Sequence, residues 1–486
     1  MIYYKIKSRF LYVVLLIGGK NMDFNNIING MKNDIIKYTQ ELIRIKSVET
    51  EPLTNAPFGS GVNDALMYML NLASSFGFKT KNIDGHIGYA EFGDGNDIAA
   101  VIGHLDVVPE GDGWLYPPYE GVCVDNKIYG RGAIDDKGPL IAALCGLKAV
   151  KDSGAQLGKR VRIIFGTDEE SGWKDIPYYT NNEALPCCGF TPDGAFPVIN
   201  AEKGSINIVF KKNILRKSKG MISIKSLTGG NALNIVPNFC TCCLGLKDMA
   251  KRMLKDTLGL YCESNKINMS IREDGDDVFI TSHGVSCHSS IPENGVNAIS
   301  QLIVFLSQFN LGQNDVSDFI KFIAKYIGYD CMGKALNINF SDDISGNLTV
   351  NLGRIYIDDE NASAAINIRY PVKAKYEDIF GRILNIADEN KIEISQLSYR
   401  KPLYIEKDSK IVSSLLDAYR EVTGKEGYTI SIGGQTYAKA FDNVLAFGPV
   451  FPGRDDLAHM PDEYIQIDDL INCAKIYSKA IYELAK

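Results

Sequence analysis

Apolar side chains recur at helical spacing in the first part of the chain. Ile35, Ile36, Tyr38, Leu42, Ile43 and Ile45 predict a helix over Met31–Ile45, and Ala65, Leu66, Met69, Leu70 and Leu72 predict another over Asn63–Phe76. Strand-like runs follow at Ile87–Phe92 and Ile98–Ile102, the second an unbroken apolar run suited to a buried strand. A hairpin is expected over Val122–Tyr129, turning at Asp125-Asn126. Pro139–Val150 predicts a helix and Val161–Phe165 a short apolar strand. Helices alternating with strands indicate an α/β domain with a mixed, largely parallel sheet.

Beyond Glu202 the pattern changes to period-two alternation. Ile206–Phe210, Ile267–Arg272, Val278–Thr281, Leu348–Leu352 and Ala364–Arg369 predict strands, with helices between them at Val296–Phe309, Val316–Ile327 and Tyr376–Ala387. This α+β stretch reads as an insertion, because α/β-type material resumes after about Leu397 with amphipathic helices at Ile411–Val422 and Leu470–Leu484. The expected organisation is therefore a first α/β part over 22–201, an inserted domain over 202–397, and a second α/β part over 398–486.

Length and composition narrow the class. A chain of 486 residues exceeds one ordinary core, and 45% hydrophobic with 23% charged residues is typical of a soluble globular protein. The formal net charge of −7, without a Lys/Arg run, argues against nucleic acid as a partner. Eleven cysteines, an odd number without regular spacing, disfavour both a disulfide framework and zinc-finger ligation, and point to a reducing cytoplasm. Lys5, Lys7 and Arg9 precede an apolar run over Phe10–Gly19 that is too short to span a bilayer and lacks an A-x-A-like cleavage site. Residues 1–21 are read as the product of a mis-assigned start, with Met22 the expected true start, and no membrane role is expected.

Candidate chemistry sits where the chain should leave its strands. I-G-H-L-D-V-V-P (Ile102–Pro109) places His104 and Asp106 on one face, so that the acid can hold one ring nitrogen and leave the other for a metal. Y-G-R-G-A-I-D-D-K-G-P (Tyr129–Pro139) sets paired acids ahead of a helix, and F-G-T-D-E-E-S-G (Phe165–Gly172) ends a strand in three consecutive acids. T-P-D-G-A-F-P carries Asp193, and L-A-H-M-P-D-E-Y carries His459 ahead of the last helix. Each has an ordinary reading alone: a loop histidine, a helix cap, a solvated acidic loop, a turn, a surface histidine.

Taken in this order, the motifs resemble the M20 metallopeptidase family, over about Asp34 to the C-terminus. The closest likeness is to its PepV-like dipeptidase branch, through T-P-D-G-A-F-P-V-I-N-A-E-K-G, C-H-S-S-I-P-E-N-G-V-N-A and G-G-Q-T-Y-A-K. The resemblance implies that His104, Asp135, Glu170, Asp193 and His459 ligate two divalent metal ions, with Asp135 bridging and followed by a cis peptide bond. It implies Zn²⁺, with Mn²⁺ or Co²⁺ as alternatives, since the set mixes imidazoles and carboxylates. Asp106 matches the acid that orients His104 and Glu169 the general base, while Asp136, at a position that varies in the family, is read as a structural acid.

In the insertion, which the resemblance makes a lid, His288 matches the oxyanion-stabilising histidine. Arg369 matches the guanidinium on the substrate carboxylate and Asn234 a polar substrate contact. Gly434 lies where backbone approaches substrate, but where close relatives have G-G-G-T-Y-A-R this chain carries Gln435 and Lys439, which bears on substrate preference. His86 and His283 match nothing in the family and are read as ordinary polar residues. The implied activity is metal-dependent hydrolysis of dipeptides by a monomer. The rivals are an N-acyl-amino-acid deacylase on the same site and a catalytically silent peptide- or metal-binding protein.

Overall fold

The computed structural model of the protein describes residues 24–217, 222–246 and 248–486. The expectations for residues 1–21 lie outside the described residues. The chain forms two compact units, one made of residues up to Asn200 with Ile405–Ile430 and Thr436–Lys486, the other of Ala201–Tyr404 with Ser431–Gln435.

In the first unit a mixed sheet runs in the order Lys79–Ile83, Ile87–Phe92, Arg160–Gly166, Ile98–His104, Cys188–Thr191, Val444–Ala446, Val198–Glu202. Its middle pairs are parallel and its outer pairs antiparallel. All seven residues of Ile98–His104 are buried, as a strand covered on both faces requires. The helix Lys137–Asp152 is buried on nearly every side, because the sheet, the helices Phe24–Gly30 and Lys32–Ile43, and the last helix Ile467–Ala485 all pack on it. Gly146 permits that approach: a Cβ there would stand 3.0 Å from the Ser478 amide nitrogen. The expected hairpin forms as Val122–Val124 and Lys127–Tyr129, and Asp125 and Asn126 both take positive φ, as a two-residue turn of this hand demands.

The second unit holds, among the described residues, an eight-stranded antiparallel sheet with helices Asp248–Asn265, Ala298–Ser307, Asp315–Tyr326 and Tyr376–Glu389 packed against it. The sheet has two four-stranded halves. One comprises Asn268–Asp274, Asp277–His283, Phe239–Leu246 and Ile222–Gly229, the other Thr349–Ile357, Asn361–Tyr370, Gly204–Asn213 and Glu393–Arg400. Cys240, Cys242 and Leu244 alternate into the core, so these cysteines serve as small apolar residues. The helix Asp248–Asn265 has no counterpart among the sequence-based expectations. Its buried stripe is thin, Ala250, Leu254 and Leu258, and the exposed Met253 and Leu260 blur it.

The halves meet along a short strip in which Leu227, Thr228 and Gly229 face Ile357, Tyr356 and Ile355. The register shifts between Leu352 and Arg354, and there Gly353 lies under Gly230, which holds φ +75°. A Cβ on Gly230 would sit 1.9 Å from the Gly353 carbonyl oxygen. Gly230→Ala is therefore expected to lower stability by about 1–3 kcal/mol, through strain at positive φ and overpacking against backbone. Urea unfolding checks this; an unchanged midpoint would refute the close-approach account.

Candidate metal centre

Three parallel neighbours, Ile98–His104, Arg160–Gly166 and Cys188–Thr191, deliver their carboxyl ends to one sheet edge. Ligands collect at such an edge because each strand there releases a loop. His104 ends the first strand opposite Gly166, Glu169 and Glu170 follow the second, and Asp193 follows the third. Asp135 arrives in the turn before helix Lys137–Asp152, and His459 in the loop before Tyr464–Gln466. The Asp135–Asp136 peptide bond is cis.

His104 Nε2 lies 2.9 Å from Asp135 Oδ1 and 3.9 Å from Asp193 Oδ2. On the other side of the same carboxylate, His459 Nε2 lies 3.1 Å from Asp135 Oδ2 and 3.0 Å from Glu170 Oε1. His104, Glu169 and Asp193 form one group able to hold a metal ion, and His104, Asp135 and Glu170 another, each with ligand atoms within 4.8 Å of one another. The adjacent residues Glu169 and Glu170 thus face different groups.

Charge dominates here. Burial would raise the Asp135 carboxyl, but the imidazoles of His104 and His459 outweigh it and hold it well below the usual range. Glu169 is pushed well up by burial and by Asp193, Glu170 and Asp106, with His104 opposing. Burial and Asp135 likewise raise Glu170 against the pull of His459. Burial disfavours the charged imidazoles, yet hydrogen bonds to Asp106 and Asp135 raise His104 well above its ordinary value, and Asp135 and Glu170 raise His459 to about 11. Two imidazoles and several facing carboxylates with unshared lone pairs are a donor set that fits divalent cations.

The side chains behind the site pin its backbone. His104 Nδ1 meets the Asp106 carbonyl oxygen at 2.9 Å and the Asp106 carboxylate at 3.6 Å, while Asp106 Oδ2 accepts the Glu170 amide at 3.0 Å. The nearer Asp106 group to Nδ1 is thus its backbone carbonyl, and its carboxylate links His104 to the acidic loop. The buried Asp136 accepts the His104 amide at 3.2 Å. Asp175 accepts the Thr167 amide at 2.9 Å and the Tyr437 hydroxyl at 2.6 Å. Trp173 Nε1 donates to the Glu169 carbonyl at 2.9 Å. Asp175, Trp173 and Tyr437, like Arg131 and Glu463, carry no assigned role in the sequence reading. Their only signal was position: polar or aromatic residues inside or beside the quoted motifs. His86 stacks on Tyr178 at 3.4 Å and is absent from both metal-capable groups.

The second unit gathers the other sequence-predicted residues. Asn234 accepts the Ser289 amide through its carbonyl at 2.8 Å, and His288 beside it contacts Ser290 Oγ at 2.7 Å. Ser289 Oγ donates to Asn367 Oδ1 at 2.8 Å, which also accepts Arg369 Nε at 3.0 Å. Asn367 thus joins the histidine segment to the arginine, a role the sequence did not reveal. Arg369 is buried and its Nη1 has no hydrogen-bond partner; burial lowers it to about 10 against the pull of Glu202. Gly433, next to Gly434, lies so close that a Cβ would stand 2.3 Å from Ser290 Cβ, and Gln435 Oε1 accepts Ser205 Oγ at 3.3 Å.

Residues 100–483 match Peptidase family M20/M25/M40. A Bacillus subtilis (strain 168) protein, YtjP, provisionally named a dipeptidase, is 41% identical over 463 residues, which cover 94% of this chain and 98% of that protein. A Staphylococcus epidermidis protein, also provisionally named a dipeptidase, is 35% identical over 458 residues, 93% of this chain and 97% of its own. The solved structure of the di-peptidase Dug1p from Saccharomyces cerevisiae matches with a TM-score of 0.57 at 15% identity, over 95% of this chain and 98% of that one, a likeness of fold. With the acids and imidazoles at one sheet edge, and a match reaching from within the first parallel strand to the last helix, the chain belongs to Peptidase family M20/M25/M40.

Proposed function

We propose that the protein is a dinuclear metallodipeptidase of the PepV-like branch, hydrolysing the amide bond of dipeptides. One observation carries the reading: two metal-capable groups share His104 and divide the neighbours Glu169 and Glu170 between them. We assign His104, Asp135, Glu170, Asp193 and His459 as ligands. Asp135, between His104 and His459 at 2.9 and 3.1 Å, is the shared carboxylate. Zn²⁺ suits this mixed set, with Mn²⁺ or Co²⁺ as alternatives. Bound there, two divalent cations would supply Lewis acidity toward the peptide carbonyl and would acidify a water. Glu169 accepts that water's proton and returns it to the leaving amine. Asp106 keeps His104 aimed and tied to the acidic loop. In the second unit, the lid of this reading, Arg369 takes the substrate carboxylate with its unpartnered Nη1, His288 stabilises the oxyanion, and Asn234 and the Gly434 backbone position the peptide. The dipeptidase names of the relatives support the substrate class.

The same reading makes the protein a monomer with His288 acting in cis. It is supported by the continuity of the second unit's sheet, in which one chain supplies both four-stranded halves and the joint between them.

Exhaustive chelation should abolish dipeptide hydrolysis, and Zn²⁺, Mn²⁺ or Co²⁺ should restore it, with N-acetyl and N-succinyl amino acids assayed alongside. Full activity in the metal-free protein would sink the metal reading, and faster turnover of the N-acyl substrates would favour the deacylase. Glu169→Ala is expected to retain both metals by elemental analysis and lose about 10²–10⁴-fold in kcat. His104→Ala should instead lower metal occupancy. The reverse pattern would exchange the two assignments. Finally, mixing His288→Ala with Glu169→Ala protein should recover no activity. Substantial recovery would mean that the histidine acts across a dimer.

A further inference from the structure

The ligands assigned above reach the site by two routes. His104, Glu169, Glu170 and Asp193 follow parallel strands, so sheet register sets their spacing. Asp135 and His459 come from loops off that sheet, and His459 itself holds φ +65°. A site that must keep ligands within a few tenths of an ångström needs something to fix these two.

Arg131, four residues before Asp135, and Glu463, four after His459, form a buried ion pair with Arg131 Nη1 2.7 Å from Glu463 Oε2. Each reaches into the other's segment. Glu463 Oε1 accepts the amides of Ile134 at 2.9 Å and Asp135 at 3.2 Å, and Oε2 accepts the Gly132 amide at 3.1 Å. Arg131 donates in return to the carbonyls of His459 and Met460, both at 3.3 Å. Its Nη2 also donates to the Glu110 carbonyl at 3.2 Å, and its guanidinium lies 5.2 Å from the Trp114 ring. The carboxylate arm therefore holds the backbone of one ligand, and the guanidinium arm holds the backbone of the other.

The geometry points to Arg131 and Glu463 as a cross-brace that sets the separation of Asp135 and His459. They are positioning residues above all for the cation site formed by Asp135, Glu170 and His459, where both braced residues are ligands; the site nearer His104 and Asp193 has only the shared Asp135 in common with the brace. This rests on the metal reading above. A buried pair of this kind is costly to break one partner at a time, because the remaining charge is left unpaired. Charge-assisted bonds to backbone also make it stiffer than two neutral contacts.

The test titrates the chelator-stripped full chain with Zn²⁺ or Mn²⁺ against a competing chelator and resolves two binding events. Glu463→Gln and Arg131→Met should each weaken one event at least tenfold and the other, which shares only Asp135 with the brace, by a clearly smaller factor. The more weakened event should be the one that His459→Ala removes and Asp193→Ala retains. The double variant Arg131→Met/Glu463→Gln, which buries no lone charge, should weaken that event no further than the worse single variant. Arg131→Lys, which keeps the charge but cannot reach the same carbonyls together, should also weaken it selectively and serves if the neutral variants do not fold. Equal weakening of both events, or of neither, would overturn the brace. Fewer than two events in the unsubstituted chain would overturn the dinuclear reading instead, and the brace with it.

Discussion

Like charges crowded at one sheet edge are the constraint on which the rest of the first unit depends. Two carboxylates 4 Å apart repel by about 4 kcal/mol at an effective dielectric of 20, a large share of the roughly 5–15 kcal/mol that holds a whole domain folded. Asp135, Glu169, Glu170 and Asp193 meet there around His104 and His459. Protons can lessen the repulsion, and divalent cations can lessen it further. The site stays assembled because its backbone is pinned from behind, by Asp136 on the His104 amide, Asp106 on Glu170, Asp175 on Thr167 and Glu463 on Asp135.

Two mechanisms of placement follow. Parallel strand ends fix their residues cheaply, since register is set by apolar packing that the core needs anyway. Loop-borne residues have no such guarantee and need dedicated polar contacts. The same contrast holds in the second unit. Arg369 lies in a strand paired on both sides, opposite Thr349 and Ser205, whereas His288 sits in an irregular segment held through Ser289 and Asn367.

Much of the local structure was legible in the sequence because its cause is local. The apolar run at Ile98–Ile102 and the helices near Pro139, Val316, Tyr376 and Leu470 recur with small changes at their ends. Exceptions arise where a side chain's burial does not match its polarity. Thr39 takes a core position in the helix Lys32–Ile43, and Ile45 lies beyond its end. The strands Ile222–Gly229 and Phe239–Leu246 were hidden because Ser, Thr and Cys occupy many of their positions. The exposed edge strand Lys79–Ile83 has almost no apolar face to detect.

By itself, then, the sequence determined the alternation of helices and strands and the motifs that carry the acids and histidines. Their order also marked the resemblance to a metallopeptidase family. Those features depend on neighbours a few residues apart. Only the tertiary structure decided which carboxylate faces which imidazole, and that Glu169 and Glu170 turn to different groups. It also decided that Ser431–Gln435 returns to the second unit, and that an arginine and a glutamate 332 positions apart hold the two loop-borne residues. Those outcomes rest on strand order, burial and charge compensation between distant segments, and no local spacing encodes them.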